Sequence, residues 1–307
     1  MPTSDSGRNT THKPERLRGS NNGSQILDSV QRFWQRSYAG DYLGLSILVV
    51  SYFIMKLVDE PFHQQFSLDD LRIQHPHAEV ERVPVFMLFV YAAGIPLVPL
   101  ALYNLALRPD LHKAHVTLLG LAITIFSTLF LTDVFKDAIG RPRPDLIARC
   151  KPRSDAPHGR LVDISICTES SHHLLHDGWR SFPSGHSSFS FAGLGWLSFF
   201  IASQTHAFRP GASLIVVALT IAPFIGAALI AISRLEDYRH DVFDVLVGSL
   251  LGVSISLFNW RRYWPGLRSS DCHEPYPPPT NELKGNISAG FQRVRDEEET
   301  FVGQNHR

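Results

Sequence analysis

Six stretches of this sequence are so long and so poor in charge that they constrain the fold more than any other feature. A helix needs about 20 predominantly apolar residues to cross the hydrocarbon core of a bilayer. The first stretch runs from Tyr42 to Val58 between Asp41 and Asp59, interrupted at Lys56, whose long side chain can snorkel to the interface. The second fills the interval between Arg82 and Arg108 without a charge, and the third lies between Lys113 and Lys136, broken only by Asp133. The fourth follows His186 and ends before Arg209, the fifth occupies Arg209 to Arg234, and the sixth starts near His240 and stops at Arg261. So many segments of this kind predict an all-α, polytopic membrane protein with six transmembrane helices. The overall charge balance, 29 basic against 29 acidic residues, conceals this segregation and gives no support to nucleic-acid binding.

The expected organisation is an N-terminal tail over 1–40, a six-span membrane domain over 41–264 and a C-terminal tail over 265–307. The first tail sets Arg8, Lys13, Arg16 and Arg18 among Ser, Asn, Gly and Thr and lacks the apolar core of a signal peptide. The second carries the Pro277-Pro278-Pro279 run and the acidic cluster from Asp296 to Glu299. Both read as disordered. An even number of spans puts the termini on one side. The flanks there carry Arg32, Arg36, Arg108, Lys113, Arg209, Arg261, Arg262 and Arg268, against Arg72 and Arg82 in the first opposite loop, so that side is expected to be cytosolic. The sequons at Asn9, Asn22 and Asn286 then lie in the cytosol and are expected to stay unglycosylated. Cys150 and Cys167 share the long loop after the third span, and Cys272 stands alone near the C-terminus. If the loop faces an oxidising space the pair can form a disulfide that restrains it; two thiols are the alternative.

Polar residues gathered where apolar spans begin and end are costly to keep there and point to function. One cluster, from Lys136 to Arg143 and Pro144, ends the third span. Another, Pro183-Ser184-Gly185-His186, starts the fourth. The last runs from Ser233 and Arg234 to His240 and Asp244, between spans five and six. With alternating spans, the loops after spans three and five lie on the same side, so the clusters can meet. Lys136, Arg143 and Arg234 supply cations, two of them with the guanidinium fork that grips a phosphoryl group. Gly140, Pro142 and Pro144 stop the third helix and let Lys136 and Arg143 converge on one anion. Ser184 and Gly185 open a helix, whose unpaired amides and positive end cradle an anion. His240 and Asp244, four apart, share a face, so the carboxylate can hold one imidazole nitrogen and leave the other as a nucleophile. His186 is placed to act as a general acid.

In this order, Lys-x6-Arg-Pro, Pro-Ser-Gly-His and Ser-Arg-x5-His-x3-Asp resemble the signature motifs of the type 2 phosphatidic acid phosphatase superfamily. The matching positions are Lys136, Arg143, Pro144, Pro183, Ser184, Gly185, His186, Ser233, Arg234, His240 and Asp244. The flanking words from Gly140 to Cys150 and from Trp179 to His186 look most like the lipid phosphate and diacylglycerol pyrophosphate phosphatases. The resemblance implies a six-span helical core and metal-independent hydrolysis of phosphatidate, diacylglycerol pyrophosphate and related lipid phosphates, with no cofactor and a non-cytosolic active site. It also implies roles: His240 as nucleophile, Asp244 as its partner, His186 as acid, and Lys136, Arg143, Ser184, Gly185 and Arg234 as phosphate binders. Two alternatives use the same motifs, a lipid phosphotransferase and a non-catalytic protein that binds lipid phosphates in the membrane; the vanadium haloperoxidases share them too but are soluble. Neither tail carries a readable address, so an endomembrane of vacuole, ER or Golgi and the plasma membrane both stay open.

Overall fold

The computed structural model describes residue 30, residues 37–58 and residues 60–278 of the 307-residue chain. The three sequons, Arg32, Arg36, the acidic cluster and most of both expected tails lie outside the described residues. Among the described residues there are helices and no strands, apart from the isolated bridges Phe66–Val162 and Pro152–Cys167. In chain order the helices are α1 (Ala39–Val58), α2 (Val85–Leu107), α3 (Leu111–Ile139), the short α4 (Leu146–Cys150) and α5 (His172–His176), α6 (Gly185–Thr205), α7 (Leu214–Glu236) and α8 (Val242–Tyr263).

Five of these, α1, α2, α3, α7 and α8, are long and apolar enough to cross a membrane. The remaining expected span, α6, has the length, 21 residues, but carries Ser187, Ser188, Ser190, Ser198 and Ser203. Its position explains that composition. All five serines are buried, and four of their hydroxyls find partners inside the protein: Ser187 Oγ meets Ser184 Oγ at 3.0 Å, Ser188 Oγ meets Thr132 Oγ1 at 2.8 Å, Ser190 Oγ donates to the Ser187 carbonyl at 3.2 Å, and Ser203 Oγ donates to the Phe200 carbonyl at 2.8 Å, while Ser198 Oγ has no partner among the described residues. A helix enclosed by other helices need not present an apolar surface to lipid. On α1, by contrast, Leu43, Ile47, Val50, Phe53 and Leu57 are all exposed.

Small residues set how closely the helices approach. A side chain at Gly248 would put its Cβ 2.5 Å from the Ser184 carbonyl oxygen, and at Gly252 it would collide with the Ser188 carbonyl, so α8 lies directly against the first turns of α6. Gly193 likewise faces the Ala92 carbonyl of α2. There α2 widens into a π turn over Val90–Gly94, just before Pro96, whose nitrogen has no hydrogen to offer Ala92. At the C-terminus of α3, Gly140 takes a left-handed conformation (φ +60°) and its NH bonds to the Lys136 carbonyl at 3.0 Å. A Cβ there would also strike the Phe62 carbonyl, so conformation and space both require glycine.

The segments that follow α1 and α3 build a small core of their own from Phe66, Leu68, Ile73, Leu146, Val162, Ile166 and Trp179. Cys150 and Cys167 are disulfide-bonded within it. Towards the other end of the helices, Arg262 and Tyr263 of α8 both bond to Asp41 of α1. Residues 265–278, assigned to the tail from sequence, pack there as well: Cys272 is buried, Glu274 pairs with Lys113 at 3.2 Å, and the Tyr276 NH bonds to the Tyr263 carbonyl at 2.8 Å.

Candidate active site

The signature segments meet because short backbone ties lock them together. Ser184 is the N-cap of α6, its Oγ accepting from the Ser187 NH at 3.4 Å, while its own NH bonds to the Asp244 carbonyl at 3.0 Å. Asp241 caps α8 in a reciprocal box, in which the Asp244 carboxylate accepts from the Asp241 NH at 3.0 Å. The segment beyond Gly140 is fastened by bonds from the Arg143 NH to the Gly178 carbonyl, 2.8 Å, and from the Ser181 NH to the Arg141 carbonyl, 3.1 Å.

A cavity of about 470 Å³ opens where these ends converge. Lys136, Arg143, Gly185, His186, Arg234 and His240 all line it, six of the eight residues expected at the site. Ser184 and Asp244 stand behind the wall, each fully buried. Seven basic side chains line the cavity, since Lys56, Arg149, Arg180 and Arg239 join the three expected cations, against the carboxylates Glu81, Asp133 and Asp177. The excess of positive charge beside the N-terminus of α6 gives the cavity a field that favours a multiply charged anion.

Most of the groups that hold these cations carry no signature in the sequence. Asp177 pairs with Arg143 at 2.7 Å and with Arg149 at 2.9 Å, and Arg149 also pairs with Asp145 at 2.9 Å. Glu81 bridges Arg234, 3.2 Å, and Arg239, 3.0 Å. The Val83 carbonyl accepts from Arg234 Nη1 at 3.0 Å and faces His186 Nε2 at 2.9 Å. Lys136 Nζ donates to the Arg180 carbonyl at 2.5 Å. Even so, Arg143 Nε and Arg234 Nε are buried with no hydrogen-bond partner among the described residues, which leaves each guanidinium a donor to spend on a ligand. Burial, with the neighbouring Arg149, pushes the Arg143 guanidinium down to about 10, still fully charged at neutral pH. Burial would raise the Asp177 carboxyl, but Arg143, Arg149 and Lys136 outweigh it and hold the group well below the usual carboxylate range.

The two histidines differ from expectation in one respect. Burial, and then the Lys136, Arg143 and Arg234 charges, hold His240 well below the ordinary imidazole range, so its ring is neutral. Its Nδ1 lies 3.8 Å from Asp244 Oδ2, beyond hydrogen-bond distance, and has no partner among the described residues. The expected His240–Asp244 hydrogen bond is therefore absent from this structure. Other donors occupy the carboxylate: Arg141 Nη1 reaches Oδ1 at 2.5 Å, and Ser181 Oγ and the Asp241 NH reach Oδ2 at 2.5 Å and 3.0 Å. Arg141 and Ser181 sit inside the flanking words that carry the resemblance, so their neighbourhood was a signal, although their partner was not.

Five membrane-length helices, with a cavity rich in cations and two histidines at their ends, define the class as a multi-pass membrane protein. Comparison with known proteins gives that class its family. The profile of the PAP2 superfamily matches residues 117–267, which include all three signature segments. Diacylglycerol pyrophosphate phosphatase 1 of Saccharomyces cerevisiae is 40% identical over 245 residues, covering 78% of this chain and 84% of that protein. A probable diacylglycerol pyrophosphate phosphatase 1 of Schizosaccharomyces pombe is 40% identical over 240 residues, covering 78% and 85%, and lipid phosphate phosphatase 2 of Arabidopsis thaliana is 30% identical over 274 residues, covering 88% and 89%. The chain belongs to the PAP2 superfamily.

Proposed function

We propose that this chain is an integral-membrane lipid phosphate phosphatase that hydrolyses phosphatidate, diacylglycerol pyrophosphate and related lipids through a phosphohistidine on His240, without a metal ion. The observation that carries the reading is the cavity itself, which gathers Lys136, Arg143, Arg234, His186 and His240 around one anion-sized space.

The geometry supports a division of labour. Lys136, Arg143, Arg234 and the amides at Gly185 and His186 hold the phosphoryl oxygens and offset the charge that builds on them in the transition state. His240 turns Nδ1 towards Asp244, so Nε2 is the attacking atom. As the Nε2–P bond forms, the bond from phosphorus to the lipid oxygen breaks and the ring becomes cationic, which draws in the Asp244 carboxylate. A carbonyl can only accept, so the Val83 oxygen fixes the hydrogen of His186 on Nε2 and leaves Nδ1 as the atom that exchanges protons. His186 enters the cycle protonated on both nitrogens beside the anionic phosphoryl group, gives its Nδ1 proton to the departing lipid alkoxide, then takes one back from the water that attacks the phosphohistidine and breaks the Nε2–P bond, returning the enzyme to its starting state and releasing phosphate.

In this reading α6 also crosses the membrane, as the fourth of six spans, both termini are cytosolic, and the site faces a lumen or the exterior, of an endomembrane or the plasma membrane. The disulfide beside the site supports placing that face in an oxidising space. The test is phosphate release by the purified chain in detergent from phosphatidate, diacylglycerol pyrophosphate, lysophosphatidate and a sphingoid phosphate, with and without excess EDTA. Release that survives EDTA is expected. Release that disappears and is restored by magnesium contradicts the mechanism, and no release from any lipid contradicts the function.

A further inference from the structure

Two charges interrupt the apolar spans without belonging to the signature, Lys56 in α1 and Asp133 in α3, and the structure brings them together. Lys56 Nζ lies 2.8 Å from Asp133 Oδ2 and 5.6 Å from the centre of the Tyr52 ring, and both side chains line the cavity that holds Lys136 and His240. A lysine near the end of a span ordinarily snorkels out to the headgroups. This one reaches across to α3 instead, with its side chain 40% exposed. Asp133 does not depend on it, because Arg180 Nη2 already reaches the other carboxylate oxygen at 3.2 Å.

The order of side chains along α3 shows what that place is suited to bind. Lys136, at the phosphoryl site, is followed one turn deeper, about 4.5 Å along the axis, by Asp133 with Lys56 upon it. Another turn in, the cavity wall becomes apolar, with Leu129 of α3, Tyr52 of α1 and Phe89 of α2. A lipid entering with its terminal phosphoryl at Lys136 and His240 and its chains against Leu129 and Phe89 would place at Lys56 the atoms between the two. In a lipid diphosphate that position is a second phosphate. An ammonium has three donors, of which Asp133 takes one, so Lys56 can bind that phosphate without giving up its carboxylate.

We infer that Lys56 is a specificity residue that binds the inner phosphate of a lipid diphosphate and thereby sets the rate on such a lipid relative to a lipid monophosphate. The inference rests on the phosphatase reading above and names the residue that tells one member of that substrate class from another. A monophosphate leaves Lys56 opposite an uncharged ester, where the cation contributes little. A diphosphate meets it with full charge.

The test is initial-rate kinetics of the purified full chain on diacylglycerol pyrophosphate and on phosphatidate with the same acyl chains. In Lys56→Met the ratio of kcat/KM for the diphosphate to that for the monophosphate should fall about tenfold, the loss expected for one charge-assisted hydrogen bond. Lys56→Arg should keep the wild-type ratio. A ratio unchanged in Lys56→Met, with both rates equal to wild type or lowered together, overturns the inference. If that variant yields no active protein, Lys56→Gln against Lys56→Arg decides it: a lower ratio in the glutamine variant supports the assignment, and equal ratios refute it. Failure of the wild type to hydrolyse either lipid would instead remove the phosphatase reading.

Discussion

Asp244→Asn isolates what the structure adds to the motif. If this carboxylate served only to orient His240, the amide would impair catalysis and leave the fold intact. The structure gives it more to do. Completely buried, it accepts from Arg141 Nη1 at 2.5 Å on one oxygen and from Ser181 Oγ and the Asp241 NH at 2.5 Å and 3.0 Å on the other. An amide has one accepting oxygen. Turned towards Ser181 and the Asp241 NH, it points its NH2 at the Arg141 guanidinium; flipped, it points the NH2 at a backbone NH. Either way a donor meets a donor and the half-buried Arg141 guanidinium loses its charge-assisted bond to this carboxylate, although Arg141 keeps Asp241 at 3.1 Å. One lost charge-assisted hydrogen bond and one unsatisfied buried donor together cost about 2–4 kcal/mol. For a domain of this size that corresponds to a fall in melting temperature of roughly 5–10 °C. The assay is thermal unfolding of the purified variant in detergent beside its rate on an aryl phosphate. A variant that is inactive yet melts with the wild type would refute the reasoning and reduce Asp244 to an orienting group.

Three further outcomes follow from the same network. The His240 imidazole is held below its ordinary 6.5, so unfolding takes up a proton once the pH falls below about that value; stability should decline from there towards acid, and His240→Gln should remove a slope that grows to about 1.4 kcal/mol per pH unit as the pH approaches 5, measured by melting between pH 5 and pH 7. Asp177→Asn leaves Arg143 without a carboxylate while Arg149 keeps Asp145 at 2.9 Å, and should cost about 3 kcal/mol in unfolding and raise KM for an aryl phosphate. Replacing both Cys150 and Cys167, which lie 17 residues apart, by Ala should cost about 3 kcal/mol and should abolish any effect of reductant on the melting temperature.

How much of this was legible in the sequence depended on whether the signal was local. Long apolar runs with few charges mark α1, α2, α3, α7 and α8 because a helix facing lipid must be largely apolar along its length. The α6 helix was legible through its missing charges and the Pro-Ser-Gly-His start, while its serines make sense only once it is seen enclosed by its neighbours. The cations and histidines could be read as one site because alternating spans force the segments to one side. Their supports could not be. Asp177 and Glu81 are ordinary loop acids by sequence, and only folding places them against Arg143 and Arg234. The His240–Asp244 spacing was readable, but competition from Arg141 and Ser181 for the carboxylate was not, because those partners lie 103 and 63 residues away.

The central claim is that His240 forms the bond to phosphorus while His186 only moves protons, and rapid-quench labelling with a phosphorus-labelled aryl phosphate tests it most directly. A good leaving group needs little protonation as it departs, so His186→Ala should still be phosphorylated, and the intermediate should accumulate because nothing activates water to remove it. The label should be acid-labile and base-stable, should map to residue 240, and should be missing from His240→Ala. Histidine labelling that persists in His240→Ala, or that vanishes in His186→Ala alone, would contradict the account.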